Sequence, residues 1–171
     1  MRSLFRQKRS AHSLHPDEWP EPSGKPRVLI ENPDRADLYA HADVLRGAGY
    51  DVAMCGGPTA KAEHVPFFSR WGRPQPMERQ ERRLCPLLTE GHCPLVEGAD
   101  VVVSTTQLAD SREILAKISA RGTPALVVEG TSSELARDSD VIGDSVEITL
   151  PVFSHQIVEA VERARSARAT D

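Results

Sequence analysis

Five short apolar runs, each set off by a turn signal or a stretch of helical periodicity, constrain this chain more than any other feature. Val28-Leu29-Ile30 is a continuous apolar run short enough for a strand buried on both faces, and Asn32-Pro33-Asp34 then supplies a turn that opens a helix. From Asp34 to Ala48 the residues Leu38, Ala42 and Leu45 recur on one helical face, with Gly49 at the place of a C-cap. The spacing predicts further strands over Tyr50–Cys55, Asp100–Ser104, Ala125–Glu129 and Val146–Leu150, and helices near Ser111–Ala120, Ser132–Arg137 and Phe153–Ser166. Apolar strands joined by helical crossovers pair in parallel and bury both faces, so the fold class is an open α/β sheet with helices on each side.

Two segments depart from that rhythm. Residues 1–26 hold Arg2, Arg6, Lys8 and Arg9, then Pro16, Pro20, Pro22 and Pro26, without apolar periodicity; the reading is a flexible arm preceding one domain over 27–171. Trp19, a lone aromatic there, is expected to be solvated or weakly tethered, and His12 and His15 belong to the arm. Residues 56–99 form an insertion longer than a crossover helix needs, rich in proline and bearing Cys85 and Cys93, with Cys55 at its threshold. No apolar run approaches the about 18 residues of a membrane span, and the basic N-terminus lacks the apolar stretch of a signal peptide; a cytoplasmic protein with no membrane partner is expected. The net charge of -4 gives no reason for a nucleic-acid partner.

Arg27-Val-Leu-Ile-Glu-Asn-Pro-Asp-Arg with its amphipathic helix, Arg46-Gly-Ala-Gly-Tyr-Asp-Val-Ala, Gly98-Ala-Asp-Val-Val-Val, Ala120-Arg-Gly-Thr-Pro-Ala-Leu-Val-Val and Ile148-Thr-Leu-Pro-Val-Phe resemble the successive strand regions of a response-regulator receiver (CheY-like) domain. The resemblance covers residues 27–55 and 95–166 and implies five parallel strands in the flavodoxin-like order 2-1-3-4-5, with the functional rim at their carboxyl ends. It also implies a phosphorylation pocket: an acidic pair for Mg²⁺ after the first strand, an acceptor aspartate ending the third, a hydroxyl ending the fourth, and a lysine after the fifth. Here Glu31 is the single acid after strand one, Ser104 or Thr105 occupies the acceptor place, Glu129 stands for the hydroxyl, and Leu150 replaces the lysine. A neutral hydroxyl without base, metal or cation is a poor nucleophile, so the expectation is a pseudo-receiver without Mg²⁺-dependent phosphorylation. Asp100 precedes its strand and is expected on the opposite rim. The resemblance further implies signalling through protein contacts, on a face formed roughly by Ser132–Arg137 and Phe153–Ser166, with another protein or a second copy as partner; Arg137, Arg163 and Arg165 there read more simply as a solvated face.

Three cysteines without an export signal suggest thiols kept for metal, redox or packing. Cys85-Pro-Leu and Cys93-Pro-Leu head two near-repeats that each close on Glu-Gly, and Cys55 ends a strand on the carboxyl rim, so the three sulfurs could converge. With His92 or His64 they would suit zinc or an iron–sulfur cluster; a redox-active pair or inert buried thiols are the alternatives. His41 and His155 read as surface or boundary residues. Gly56-Gly57 lacks the pattern of a phosphate cradle. Arg70, Arg73, Arg79, Arg82 and Arg83, beside Phe67, Phe68 and Trp71, read as a mixed-charge solvated helix face with rings folded onto the sheet, and Ser104-Thr105-Thr106 as a turn or capping cluster. The expected function is therefore a non-enzymatic regulatory domain with a sulfur-based metal or redox site. The alternatives are a small flavodoxin-like enzyme using Cys55 as nucleophile, or a structural interaction domain with inert thiols.

Overall fold

A computed structural model describes residue 19 and residues 23–58, 85–108 and 110–168. The apolar run at the start forms β1 (Arg27–Glu31), a central strand whose Val28, Leu29 and Ile30 are almost wholly buried because helices cover both faces of the sheet. Asp34 caps α1 (Arg35–Gly47) by accepting the backbone N–H groups of Ala36 and Asp37 at 2.7 and 3.2 Å. Gly49, at φ 95°, turns the chain into β2 (Asp51–Cys55).

Two single turns follow within the insertion: α2 (Pro86–Thr89) and α3 (Pro94–Glu97). In both, proline takes the first helical position, where its missing N–H costs nothing, and the cysteine before it is the N-cap residue. The remainder alternates: β3 (Val101–Thr105), α4 (Ser111–Ser119), β4 (Ala125–Gly130), α5 (Ser132–Ile142), β5 (Val146–Thr149) and α6 (Ser154–Arg168). All strand pairs are parallel and the order is β2-β1-β3-β4-β5, as the sequence led us to expect.

The sheet separates two apolar layers. On one face Val28, Ile30, Val101, Val103 and Val127 meet Leu38, Ala42 and Leu45 of α1 and Ile157, Ala160, Val161 and Ala164 of α6. On the other, Leu29, Ala53, Val102, Leu126 and Val128 meet α2 through α5, with Leu87, Leu95, Ile114, Leu115, Ile118, Leu135 and Ile142 as the main contributors.

Two expectations are corrected. The fifth helix does not stop near Arg137 but continues to Ile142. The polar run Arg137-Asp-Ser-Asp140 hides this in the sequence, yet Asp138 is only 1% exposed, held by Arg112 at 3.1 Å and Arg137 at 3.2 Å, so Leu135, Asp138 and Ile142 form one inward face. Trp19 is not solvated: its indole N–H donates to the Leu95 carbonyl at 2.9 Å, and the ring packs on the second core layer.

Candidate functional site

A parallel sheet gathers the carboxyl ends of its strands on one rim, and the register decides which side chains stand beside one another there. Glu31 is the partner of Cys55 on one side and of Ser104 on the other, so Cys55, Glu31 and Ser104 form a row across β2, β1 and β3. Thr105, Glu129 and Ile148 form the row across β3, β4 and β5. Side chains alternate along a strand, so the first row faces the α2–α5 layer and the second faces α1 and α6.

In the first row the Ser104 hydroxyl, fully buried, donates to Glu31 Oε2 at 3.0 Å. Burial raises the Glu31 carboxyl from 4.5 to about 7, and the Ser104 hydrogen bond offsets only part of that. The next residue, Asn32, is a buried amide whose Oδ1 accepts the Asp34 N–H at 2.8 Å. Cys55 Sγ accepts the Gly57 N–H at 3.4 Å. Burial pushes the Cys55 thiol well above the ordinary thiol range, with Glu31, Cys85 and Cys93 adding to the effect, and Cys85 is raised by burial and then by Glu31. None of the three cysteines is joined in a disulfide, and all pack against the same core layer.

The second row holds Glu129, 2% exposed, with Oε1 at 3.3 Å from His41 Nδ1. His41 is thus buried on α1, not a surface residue; it lies on the face shared by Leu38, Ala42 and Leu45. Burial, the larger influence on each, raises Glu129 to about 7 and lowers His41, while nearby Asp37 pushes both upward. Each partner's charged form is disfavoured by the same apolar surroundings. Although they lie 3.3 Å apart, neither Glu129 Oε1 nor His41 Nδ1 makes a hydrogen bond among the described residues.

Around these rows the hydroxyls are already engaged. Thr105 Oγ1 accepts the Gln107 N–H at 3.3 Å, and Thr106 Oγ1 donates to Glu134 Oε2 at 3.1 Å. Glu134 closes a capping box with Thr131 at the start of α5, and that hydrogen bonding holds its carboxyl below the ordinary range. Ser104 and Thr105 thus end β3 rather than forming the turn or capping cluster expected, and their hydroxyls and that of Thr106 are engaged by Glu31, the Gln107 N–H and Glu134. Gly57, at φ 69°, lies so close beneath Leu108 that a Cβ would stand 2.2 Å from Leu108 Cδ2; with its N–H on sulfur as well, this loop offers no open phosphate cradle. Leu150 is half-buried, and its N–H donates to the Gly130 carbonyl at 3.0 Å. Asp100 lies on the opposite rim, accepting the Arg27 N–H at 2.7 Å.

The donor sets can be tested against the metals considered above. A hard divalent cation needs ionised oxygens, whereas Glu31 is a desolvated carboxyl bonded to the Ser104 hydroxyl. For zinc or an iron–sulfur cluster, no group of three His, Cys, Asp or Glu among the described residues is placed to hold a metal ion. His92 is exposed and sits 3.3 Å from Glu90. His64, the arginines between 70 and 83, and the Phe67, Phe68 and Trp71 rings lie outside the described residues.

Compared by sequence, the chain matches no family profile and no curated relative. Compared by structure, it is similar to a response regulator receiver domain protein from Clostridium thermocellum, with TM-score 0.55 at 14% identity over 85% of this chain and 98% of that one. A CheY-like receiver domain protein from Methanospirillum hungatei gives 0.56 at 16% over 85% and 98%, and a receiver protein from Sinorhizobium medicae 0.54 at 18% over 84% and 97%. The chain therefore has the receiver-domain fold, with its carboxyl rim where the sequence reading put it. No helix among the described residues is long and apolar enough to cross a membrane.

Proposed function

We propose that the chain is a receiver-like regulatory domain that works through contacts with another protein and does not accept a phosphoryl group at Ser104. The observation that carries this reading is the Ser104–Glu31 hydrogen bond: the residue in the acceptor place and the sole acid of the metal place are tied to each other, buried, with the carboxyl raised to about 7. Leu150 supplies no cation for phosphoryl oxygens, and Glu129 would bring a carboxyl where a hydroxyl is needed. In support of protein contacts, Phe153 is 59% exposed and stacks on the exposed His155, beside a shallow groove lined by Ile148, Gln156, Glu159 and Arg163 at the β5 edge. The partner is another protein or a second copy of the chain.

One observation favours a second element in this reading. Cys55, Cys85 and Cys93 all pack against the same core layer, and Cys55 ends β2 where the insertion begins. In this reading the sulfurs switch the domain, either by drawing together around zinc or an iron–sulfur cluster or by reversible oxidation. The raised Cys55 thiol argues against the alternative of an enzyme with Cys55 as nucleophile, because the thiolate is the reactive form.

The test is a pair of measurements on one anaerobic preparation. Incubation with Mg²⁺ and acetyl phosphate is expected to leave the intact mass unchanged; stoichiometric labelling would overturn the reading. Elemental analysis with a visible spectrum then decides the sulfur element: zinc, or an iron–sulfur absorption that is lost in a Cys55→Ala variant, supports the metal form. Neither, together with thiols that no mild oxidant pairs, would reduce the cysteines to packing.

A further inference from the structure

The opposite rim carries a feature that neither the fold nor the rim chemistry uses. Gly98 is the C-cap of α3 with φ −89° and ψ −1°, a conformation open to any residue, so backbone strain does not call for glycine there. Clearance does. A Cβ on Gly98 would stand 2.3 Å from Cδ1 and 2.5 Å from Nε1 of Trp19, inside any real contact distance and against a rigid ring. The ring's polar handle is met as well: the Ala99 N–H turns to the Val96 carbonyl at 3.3 Å, and the Leu95 carbonyl, one residue back, accepts the indole N–H at 2.9 Å. The Arg27 guanidinium lies over the ring, 5.2 Å from its centroid.

We propose that Gly98, Leu95 and Arg27 form an indole-binding seat whose occupant is this chain's own Trp19, latching the N-terminal segment to the domain. The seat has each component that an indole requires: a flat approach with no side chain in the way, an acceptor in the ring plane and a cation on the ring face. Its two halves are 76 residues apart in sequence, so the contact ties the segment before β1 to the insertion before β3. The helical turn that forms the seat, α3, has Cys93 as its N-cap residue, so the latch rests on an element that carries one of the three thiols. The proposal stands whether or not the cysteines act as a switch.

The experiment uses the full chain with Trp71→Phe, leaving Trp19 as the only indole. Its emission is expected to lie to the blue of free N-acetyltryptophanamide, with acrylamide quenching several-fold weaker. Adding Gly98→Ala is expected to bring both to the free values and to leave far-UV circular dichroism unchanged. Trp19→Ala, which needs no new atom in the seat, is expected to speed hydrogen exchange at the Gly98 and Ala99 amides several-fold. Emission already at the free value, or emission and quenching that Gly98→Ala leaves unchanged, would overturn the latch. A dimer at micromolar concentration that Gly98→Ala converts to monomer would show the seat filled by a second copy's tryptophan, and would overturn the intramolecular form.

Discussion

Replacing Ser104 by aspartate is expected to destabilise the folded chain by roughly 3–5 kcal/mol at about pH 8, the range for a buried charge left without compensation. Ser104 is fully buried against Glu31, so the new carboxylate would face an existing acid in a site with no described cation. Ser104→Ala removes only one hydrogen bond and is expected to cost about 1 kcal/mol, which separates charge from shape. The sign of the pH dependence follows from the shared site. Two carboxyls that cannot both ionise hold a proton in the folded state that the unfolded chain has released, so the loss grows as pH rises and shrinks as it falls toward pH 4. Urea midpoints at both pH values measure this. Full recovery of Ser104→Asp by millimolar Mg²⁺ would mean that the rim retains a working cation site, contrary to the proposal.

Glu31→Gln is expected to act in the opposite direction and to stabilise the protein above neutrality. A carboxyl whose folded value is raised from 4.5 to about 7 binds more protons folded than unfolded across that interval, so its contribution to stability falls as pH climbs through it. At 1.36 kcal/mol per pH unit the fall amounts to at most about 3 kcal/mol. Glutamine keeps an oxygen to accept the Ser104 hydroxyl and carries no charge, so the variant should match the parent near pH 4.5 and exceed it by about 2–3 kcal/mol near pH 8. Glu129 has the same direction and interval, while the lowered His41 works the other way, its stabilising effect as a neutral group being lost as pH falls through its folded value. The difference between Glu31→Gln and the parent isolates Glu31 from both.

The sheet was legible because its signals are local. Val28-Leu29-Ile30 and Val101-Val102-Val103 can satisfy their surroundings only between two other strands, and the helices between strands allow only parallel pairing. The order 2-1-3-4-5 came from the resemblance, and that order already puts Glu31 beside Ser104, although they are 73 residues apart; the hydrogen bond could have been anticipated from adjacency at the ends of neighbouring strands. His41 also carried a readable signal, since it falls on the 38, 42, 45 face of α1, but a histidine there gains its reason only from Glu129, a partner on β4. Asp138 hid the last turns of α5 because its burial depends on Arg112 from a different helix. The turns α2 and α3 had a local mark, proline at the first helical position after cysteine, inside a proline-rich insertion that otherwise lacks helical periodicity. Trp19 had none, because its seat is a glycine and a carbonyl far along the chain.

The most direct test of this account is the ionisation of Glu31 itself, followed by the side-chain carboxyl carbon resonance in protein labelled with ¹³C-glutamate and assigned by its loss in Glu31→Gln. A titration midpoint of about 7, insensitive to millimolar Mg²⁺, is the predicted result. A midpoint near 4.5, shifting lower as Mg²⁺ is added, would show an ionised carboxylate free to hold a cation and would contradict the claim that Glu31 and Ser104 have closed the pocket on each other.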